Sequence, residues 1–155
     1  MKRNVLVENA MLSDAEEILA LQKLAFQSEA VLYADYSLPP LIQVLQDIRQ
    51  EFAGRLFLKA LTDGTIVGSV RAFAKRNTCF VSKLVVHPSF QKRGIGSTLI
   101  TRIEGCFKKA KRFEISTGYK SERNILLYKK FGYTTLKTQK VTDTLSLVFM
   151  EKVTG

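Results

Sequence analysis

Three features of this sequence predict an α+β fold with a mixed, mostly antiparallel central sheet flanked by helices on both faces. Residues 56–86 carry three short runs rich in β-branched and aromatic residues, separated by the polar turns Asp63-Gly64 and Lys75-Arg76-Asn77. That is the pattern of an antiparallel meander. From Gly96 the apolar period changes, and Leu99, Ile103 and Phe107 recur at helical spacing. Another strand-like run follows that helix at 113–117, and a helical crossover between two strands of one sheet makes the pair parallel. The 155 residues suit one domain spanning 1–155, because a chain of this length buries roughly two-thirds of its unfolded surface and two cores would each be marginal.

The elements read in the order β-α-α-β-β-β-α-β-α-β-β, with no repeat, linker or low-complexity segment. Ser13-Asp14-Ala15-Glu16 has the S-x-x-E form of a capping box, and Ile18, Leu21 and Ala25 continue at helical spacing, so a helix is expected over 14–28. A polar and aromatic connection is expected over 29–38. Pro39-Pro40 then opens a second helix with the face Leu41, Leu45, Ile48 and Phe52, closed by Gly54. Strands are expected at 56–61, 65–73 and 79–86. The helix that follows ends in Lys108, Lys109, Lys111 and Arg112, cations that suit its C-terminal dipole. A strand at 113–117, a helix at 121–131 stopped by Gly132, and strands at 133–141 and 145–153 complete the chain.

Composition narrows the function. Hydrophobic residues at 46% and charged residues at 25% are those of a soluble globular protein. No apolar run approaches the ~20 residues that span a bilayer. The start, Met1-Lys2-Arg3-Asn4-Val5-Leu6-Val7-Glu8, meets Glu8 too soon for a signal peptide, so the expected location is the cytoplasm and no membrane partner is expected. Cys79 and Cys106 belong to no CxxC or histidine cluster and read as packed, reduced thiols, with no metal site. The net charge of +10 favours a polyanion, whether nucleic acid, acidic membrane or a phosphate-bearing cofactor. Nucleic acid is disfavoured, since no helix-turn-helix or RNA-recognition motif is recognisable.

The cofactor reading has residues behind it. Gly94-Ile95-Gly96 lies between a strand and a helix, where unpaired amides, the helix dipole and glycine's tolerance of close approach make an anion site. Lys92 and Arg93 add charge there. The surrounding run, from Leu84-Val85-Val86-His87-Pro88 through Gln91-Lys92-Arg93-Gly94-Ile95-Gly96-Ser97-Thr98-Leu99, resembles the central motif of the GNAT superfamily of acyl-CoA N-acyltransferases, including its Q/R-x-x-G-x-G/A core. Asn124-Ile125-Leu126-Leu127-Tyr128-Lys129-Lys130-Phe131-Gly132-Tyr133 resembles that family's N-x-x-x-x-Y-x-x-x-G-F/Y helix and turn. The resemblance spans 79–133, and element order extends it over the chain.

The resemblance implies acetyl-CoA as co-substrate, with its pyrophosphate on Gln91, Lys92, Arg93, Gly94, Ile95, Gly96, Ser97 and Thr98. It also implies a splay between the strands at 79–86 and 113–117, with the pantetheine arm lying in the gap against the backbone of Val85 and Val86 like an added strand. Asn124 is expected to bond the pantetheine amides. Tyr128 matches the tyrosine beside the coenzyme sulfur, where a phenol can protonate the leaving thiolate.

The expected activity is acetyl transfer to a primary amine of a small molecule or protein, by direct attack in a ternary complex. The alternative is an inactive acyl-CoA-binding or regulatory module, because Val81-Ser82-Lys83 stands where many relatives carry a carboxylate. The base is then water, a residue of 29–38, or none if the amine arrives neutral. Glu29, Tyr33, Asp35 and Tyr36 are expected to form the acceptor side of the cleft and to favour a cationic amine. His87 reads as a turn residue, and Lys129 and Lys130 either as solvated helix cations or as contacts to the coenzyme phosphates. The acceptor's identity, the base and pairing with a second copy of the chain stay open.

Overall fold

Strands form at Leu6–Asn9 (β1), Leu56–Thr62 (β2), Thr65–Lys75 (β3), Thr78–Val86 (β4), Arg112–Gly118 (β5), Thr134–Lys140 (β6) and Ser146–Val153 (β7). The computed structural model describes residues 5–154, so the stretch Met1 to Asn4 of the chain start lies outside the described residues. The strands make one sheet in the order β1-β2-β3-β4-β5-β7-β6. Both hairpins of the meander close on left-handed pairs, Asp63 (φ 50°) with Gly64 (φ 78°) and Arg76 (φ 51°) with Asn77 (φ 69°), which match the twist of the strands they join.

The helices are Ala15–Ala25 (α1), Gln27–Tyr33 (α2), Pro39–Ile42 (α3), Leu45–Glu51 (α4), Ile95–Gly105 (α5) and Glu122–Lys130 (α6). They correct several expectations. Asp14, not Ser13, stands at the N-cap position of α1, but it makes no side-chain cap bond there: its carboxylate accepts the Met11 N–H at 2.8 Å, bracing the 3-10 turn Leu12–Asp14 that holds Ser13 just before α1, and pairs with Lys59 Nζ at 2.8 Å. The expected connection over 29–38 is helical as far as Tyr33, ending only where Ala34 turns left-handed (φ 51°).

The expected second helix is also broken in two. Gln43 and Val44 are extended, and the Asp47 carboxylate restarts the helix by accepting the Val44 N–H at 3.2 Å. The break frees the Gln43 side chain for a buried cation. Arg71 of β3, 1% exposed, donates from Nη2 to Oε1 of Gln22 and of Gln43, each at 3.1 Å. Its Nε lies 3.3 Å from Glu51, close enough for ion pairing but without hydrogen-bond geometry. Burial lowers the Arg71 pKa to about 10, opposed by Glu51.

Each sheet face has its own core. On one, Leu99, Ile100 and Ile103 of α5 and Tyr128 of α6 pack on Val70, Ala72, Val81, Ile115 and Met150. On the other, Ile18, Leu19 and Leu21 of α1 and Ile48 of α4 pack on Phe57, Ile66 and Val85. Each fully buried aliphatic side chain contributes roughly 1.5–3 kcal/mol. Cys79 lies in the first core, its thiol pushed up to about 12 by burial, but Cys106 is exposed, contrary to the expectation that both pack.

Candidate active site

The site originates in two irregularities of β4. Its parallel pairing with β5 runs only from Thr78↔Arg112 to Val81↔Ile115, although β4 continues to Val86 and β5 to Gly118. Over the same stretch its pairing with β3 shifts: Ser69 faces Val85 but Arg71 faces Ser82, so Lys83 and Leu84 together oppose Val70. Lys83 is left-handed there (φ 54°). A bulge of this kind bends its strand and increases the local twist, and the strands part beyond it.

The gap opens into two adjoining cavities. The larger, about 770 Å³, runs along Leu84, Val85 and Val86 to the turn before α5. The His87 N–H donates to Val67 O at 2.8 Å. Strand amides alternate in direction, so the Val86 N–H faces the open edge. The turn itself is bent by Lys92 (φ 64°) and Gly94 (φ 80°). By helix geometry the amides of Ile95, Gly96 and Ser97 at the start of α5 have no intrahelical acceptor. A Cβ on Gly96 would stand 3.4 Å from Leu127, in contact across this wall. Unpaired amides, a dipole of eleven residues and a Cβ-free approach fit a phosphate group.

Of the residues read from the sequence as coenzyme contacts, Val85, Val86, Gln91, Lys92, Gly94, Ile95, Gly96, Ser97 and Asn124 line this cavity. Arg93 and Thr98 do not. Arg93 lies over the Phe90 ring at 5.2 Å, and the Thr98 hydroxyl turns back along its own helix to Gly94 O at 2.9 Å. Gln91 is held by a hydrogen bond from Arg123. The only histidine is a turn residue: its Nδ1 accepts the Ser89 N–H at 3.0 Å.

The smaller cavity, about 180 Å³, shares Phe26, Glu29, Leu84, Ser121 and Asn124 with the larger. Glu29 on α2 therefore borders both. A one-way chain of hydrogen bonds ends on its carboxylate. The Lys120 N–H donates to Tyr33 Oη (2.8 Å), Tyr33 lies 2.8 Å from Ser121 Oγ, and Ser121 donates to Glu29 Oε2 (2.8 Å). Because an ionised carboxylate only accepts, Ser121 must spend its proton on Glu29, which leaves Tyr33 as donor to Ser121. Burial raises the Tyr33 pKa, partly offset by Ser121 and Lys120.

Tyr128, 3% exposed, lines the same cavity, and its phenol is raised well above its ordinary range by burial and by the Glu29 charge. It stays protonated throughout the physiological range. Asn124, one turn earlier, donates to Thr117 Oγ1 at 3.2 Å. Asp35 and Tyr36 are not brought here. Asp35 accepts from Ser37 N at 2.8 Å and Thr144 Oγ1 at 2.6 Å, tying the end of α2 to the turn before β7, and Tyr36 is 66% exposed. Sequence reasoning missed Ser121 and Thr117. An isolated hydroxyl residue carries no signal until the splay places it.

An amide-rich turn beside a parted sheet marks an α+β domain with a large cleft and a second, smaller chamber. The chain belongs to the acetyltransferase (GNAT) family, which it matches over residues 16–133. That membership supports an acyltransferase. A curated relative, the UPF0157 protein YqkA of Bacillus subtilis (strain 168), is 27% identical over 136 residues; these are 86% of this chain but 38% of the relative, so the chain spans well under half of that protein.

Among solved structures, smu.2055 from Streptococcus mutans UA159 is similar with a TM-score of 0.82 at 17% identity, covering 96% of this chain and 98% of the other. PaiA N-acetyltransferase from Thermoplasma acidophilum, in complex with coenzyme A, gives 0.72 at 19% over 97% and 99%. The ribosomal-protein-S18-alanine N-acetyltransferase of Escherichia coli gives 0.76 at 13% over 97% and 94%. At such identities the likeness is one of fold.

Proposed function

We propose that this chain is an N-acetyltransferase that moves an acetyl group from acetyl-CoA to a primary amine by direct attack in a ternary complex. The observation that carries the reading is the position of Glu29 at the junction of the two cavities, with Tyr128 lining the same smaller chamber. A carboxylate missing from β4 is thereby supplied from α2.

The co-substrate supplies a thioester carbon to an amine, so that an N–C bond forms, the C–S bond breaks and one proton passes from nitrogen to sulfur overall. Around that exchange each residue has a part. The amides of Ile95, Gly96 and Ser97 hold phosphate, and Lys92 adds charge. The outward Val86 N–H is placed for the carbonyl oxygen, and Asn124 for the pantetheine. Glu29 receives the amine's proton, its carboxylate oriented by Ser121 and Tyr33. Tyr128 stands as the donor toward sulfur. With its pKa raised, the phenol begins by donating a hydrogen bond to the developing thiolate, and transfers its proton late.

Incubation with acetyl-CoA and an amine panel, followed by thiol release and product mass, tests the reading. The expected result is turnover in the wild type and a loss of ~10²–10⁴-fold in kcat for Glu29→Gln, the range for losing a general base. Coenzyme binding without turnover on any amine would make the chain an acyl-CoA-binding module instead.

A further inference from the structure

The smaller cavity carries two charges among its described lining residues, one of each sign: Glu29 and Lys83. Lys83 owes its place to the β4 bulge. Val81 belongs to the core on the α5 side, and Leu84 packs against that same core. Two residues therefore intervene where strand alternation allows one, and Ser82 and Lys83 both go to the opposite face, toward the chamber. Among the described residues Lys83 has no hydrogen-bond or ion-pair partner, whereas Glu29 is held by Ser121. Burial lowers the Lys83 pKa, and the nearby Arg71 and Arg55 lower it further against the single opposing charge of Glu51. An ammonium group in these surroundings gains from an incoming anion.

The remainder of the wall divides into a polar part, with Ser82, Ser116, Thr117, Ser121 and Asn124, and an apolar part. Leu38, Ile115, Val141, Leu145 and Leu147 border the chamber. Its volume of about 180 Å³ exceeds the roughly 150 Å³ of a cavity that takes up benzene. We infer that the acceptor is a free amino acid with a compact apolar side chain, its amino group toward Glu29, its carboxylate on Lys83, and its side chain against Leu38, Leu145 and Leu147. The inference rests on the acetyl-transfer reading for the fate of the amine, but the carboxylate site stands on binding alone. It replaces the simple cationic amine expected from Glu29 and Asp35, because Asp35 is engaged elsewhere and Lys83 is present.

The experiment compares L-leucine with L-leucinamide, which keeps the amine and side chain and loses the carboxylate charge. Binding to the CoA-loaded protein is measured calorimetrically, and acetylation by mass. The wild type should prefer leucine roughly tenfold or more, the scale of a hydrogen-bonded charge pair. Lys83→Met should bring the leucine to leucinamide ratio near one, and Lys83→Arg should restore part of it, which shows that charge rather than folding is at issue. Equal or tighter binding of leucinamide by the wild type overturns the inference, as does failure to bind either. Carboxylate discrimination without any acetylation upholds the site and overturns the transfer reading.

Discussion

Gly118, at the end of β5, leaves no room for a side chain: a Cβ there would stand 2.0 Å from Tyr33 Oη. That hydroxyl is the middle of the chain ending on Glu29, so Gly118→Ala should displace it and lower kcat by about tenfold, the scale of one lost hydrogen bond. Tyr33→Phe should do the same with acetyl-CoA affinity retained; wild-type kinetics in both would remove Tyr33 from the orientation of Glu29. For Tyr128 the expected loss on replacement by Phe is ~10²–10⁴-fold in kcat. Its raised pKa means that the protonated form persists to higher pH than an ordinary phenol's ~10. The wild-type rate should therefore show no alkaline fall caused by Tyr128 below about that pH, and an alkaline limb abolished by Tyr128→Phe would contradict this. Tyr128 and Asn124 were named from the sequence through the resemblance of residues 124–133 to the family's helix and turn, and both line the smaller cavity. Tyr33 was read as an acceptor-side residue, but its role in a relay depends on Gly118, 85 positions away by subtraction of residue numbers, and no local pattern reports that.

At the scale of elements, the strands were read to within a residue or two, since hairpin turns and alternation fix them locally. The helices before β2 were not. They break at Phe26 and at Gln43, and the break at Gln43 serves a tertiary partner, Arg71, whose burial nothing near it in sequence announces. Removing that cation should be costly. Arg71→Ala removes the buried counter-charge beside Glu51 and the donor shared by the Gln22 and Gln43 oxygens, and the loss should be about 3–5 kcal/mol in urea unfolding, as for breaking a buried pair. A cost under 1 kcal/mol would show that water replaces the guanidinium easily. The Asp14 carboxylate gives an acid test of the turn that leads into α1. Burial raises the Asp14 pKa, but Lys59 and the Met11 amide outweigh it and lower it overall. A depressed carboxylate stabilises the fold above its unfolded pKa and loses that contribution as pH falls through the folded one. Stability should therefore drop below about pH 4, and less steeply in Asp14→Asn; identical profiles would discount this role.

For the whole molecule, the +10 charge and the amide-rich turn act together on any phosphate-bearing ligand. Acetyl-CoA at a hundred times its dissociation constant should add ~2.7 kcal/mol to stability, and the affinity should weaken with salt while Gly96→Val weakens it at every salt concentration. No thermal shift at millimolar acetyl-CoA would end the cofactor reading. The short β4 and β5 pairing has a further consequence. Four paired positions are all that join β1 to β4 with β5 to β7 along the sheet itself, as few as join the edge strand β1 to β2, so the seam is a weak line of backbone hydrogen bonding through the middle of the sheet. Amide exchange should report this as two units that open separately, with the β5, β6 and β7 amides less protected than those of β2 and β3. A ligand that bonds the free edge of β4 and also touches α6 stitches the two units together. Its binding should slow exchange in β5 and β7, strands it does not touch, and so make the opening of the two units cooperative.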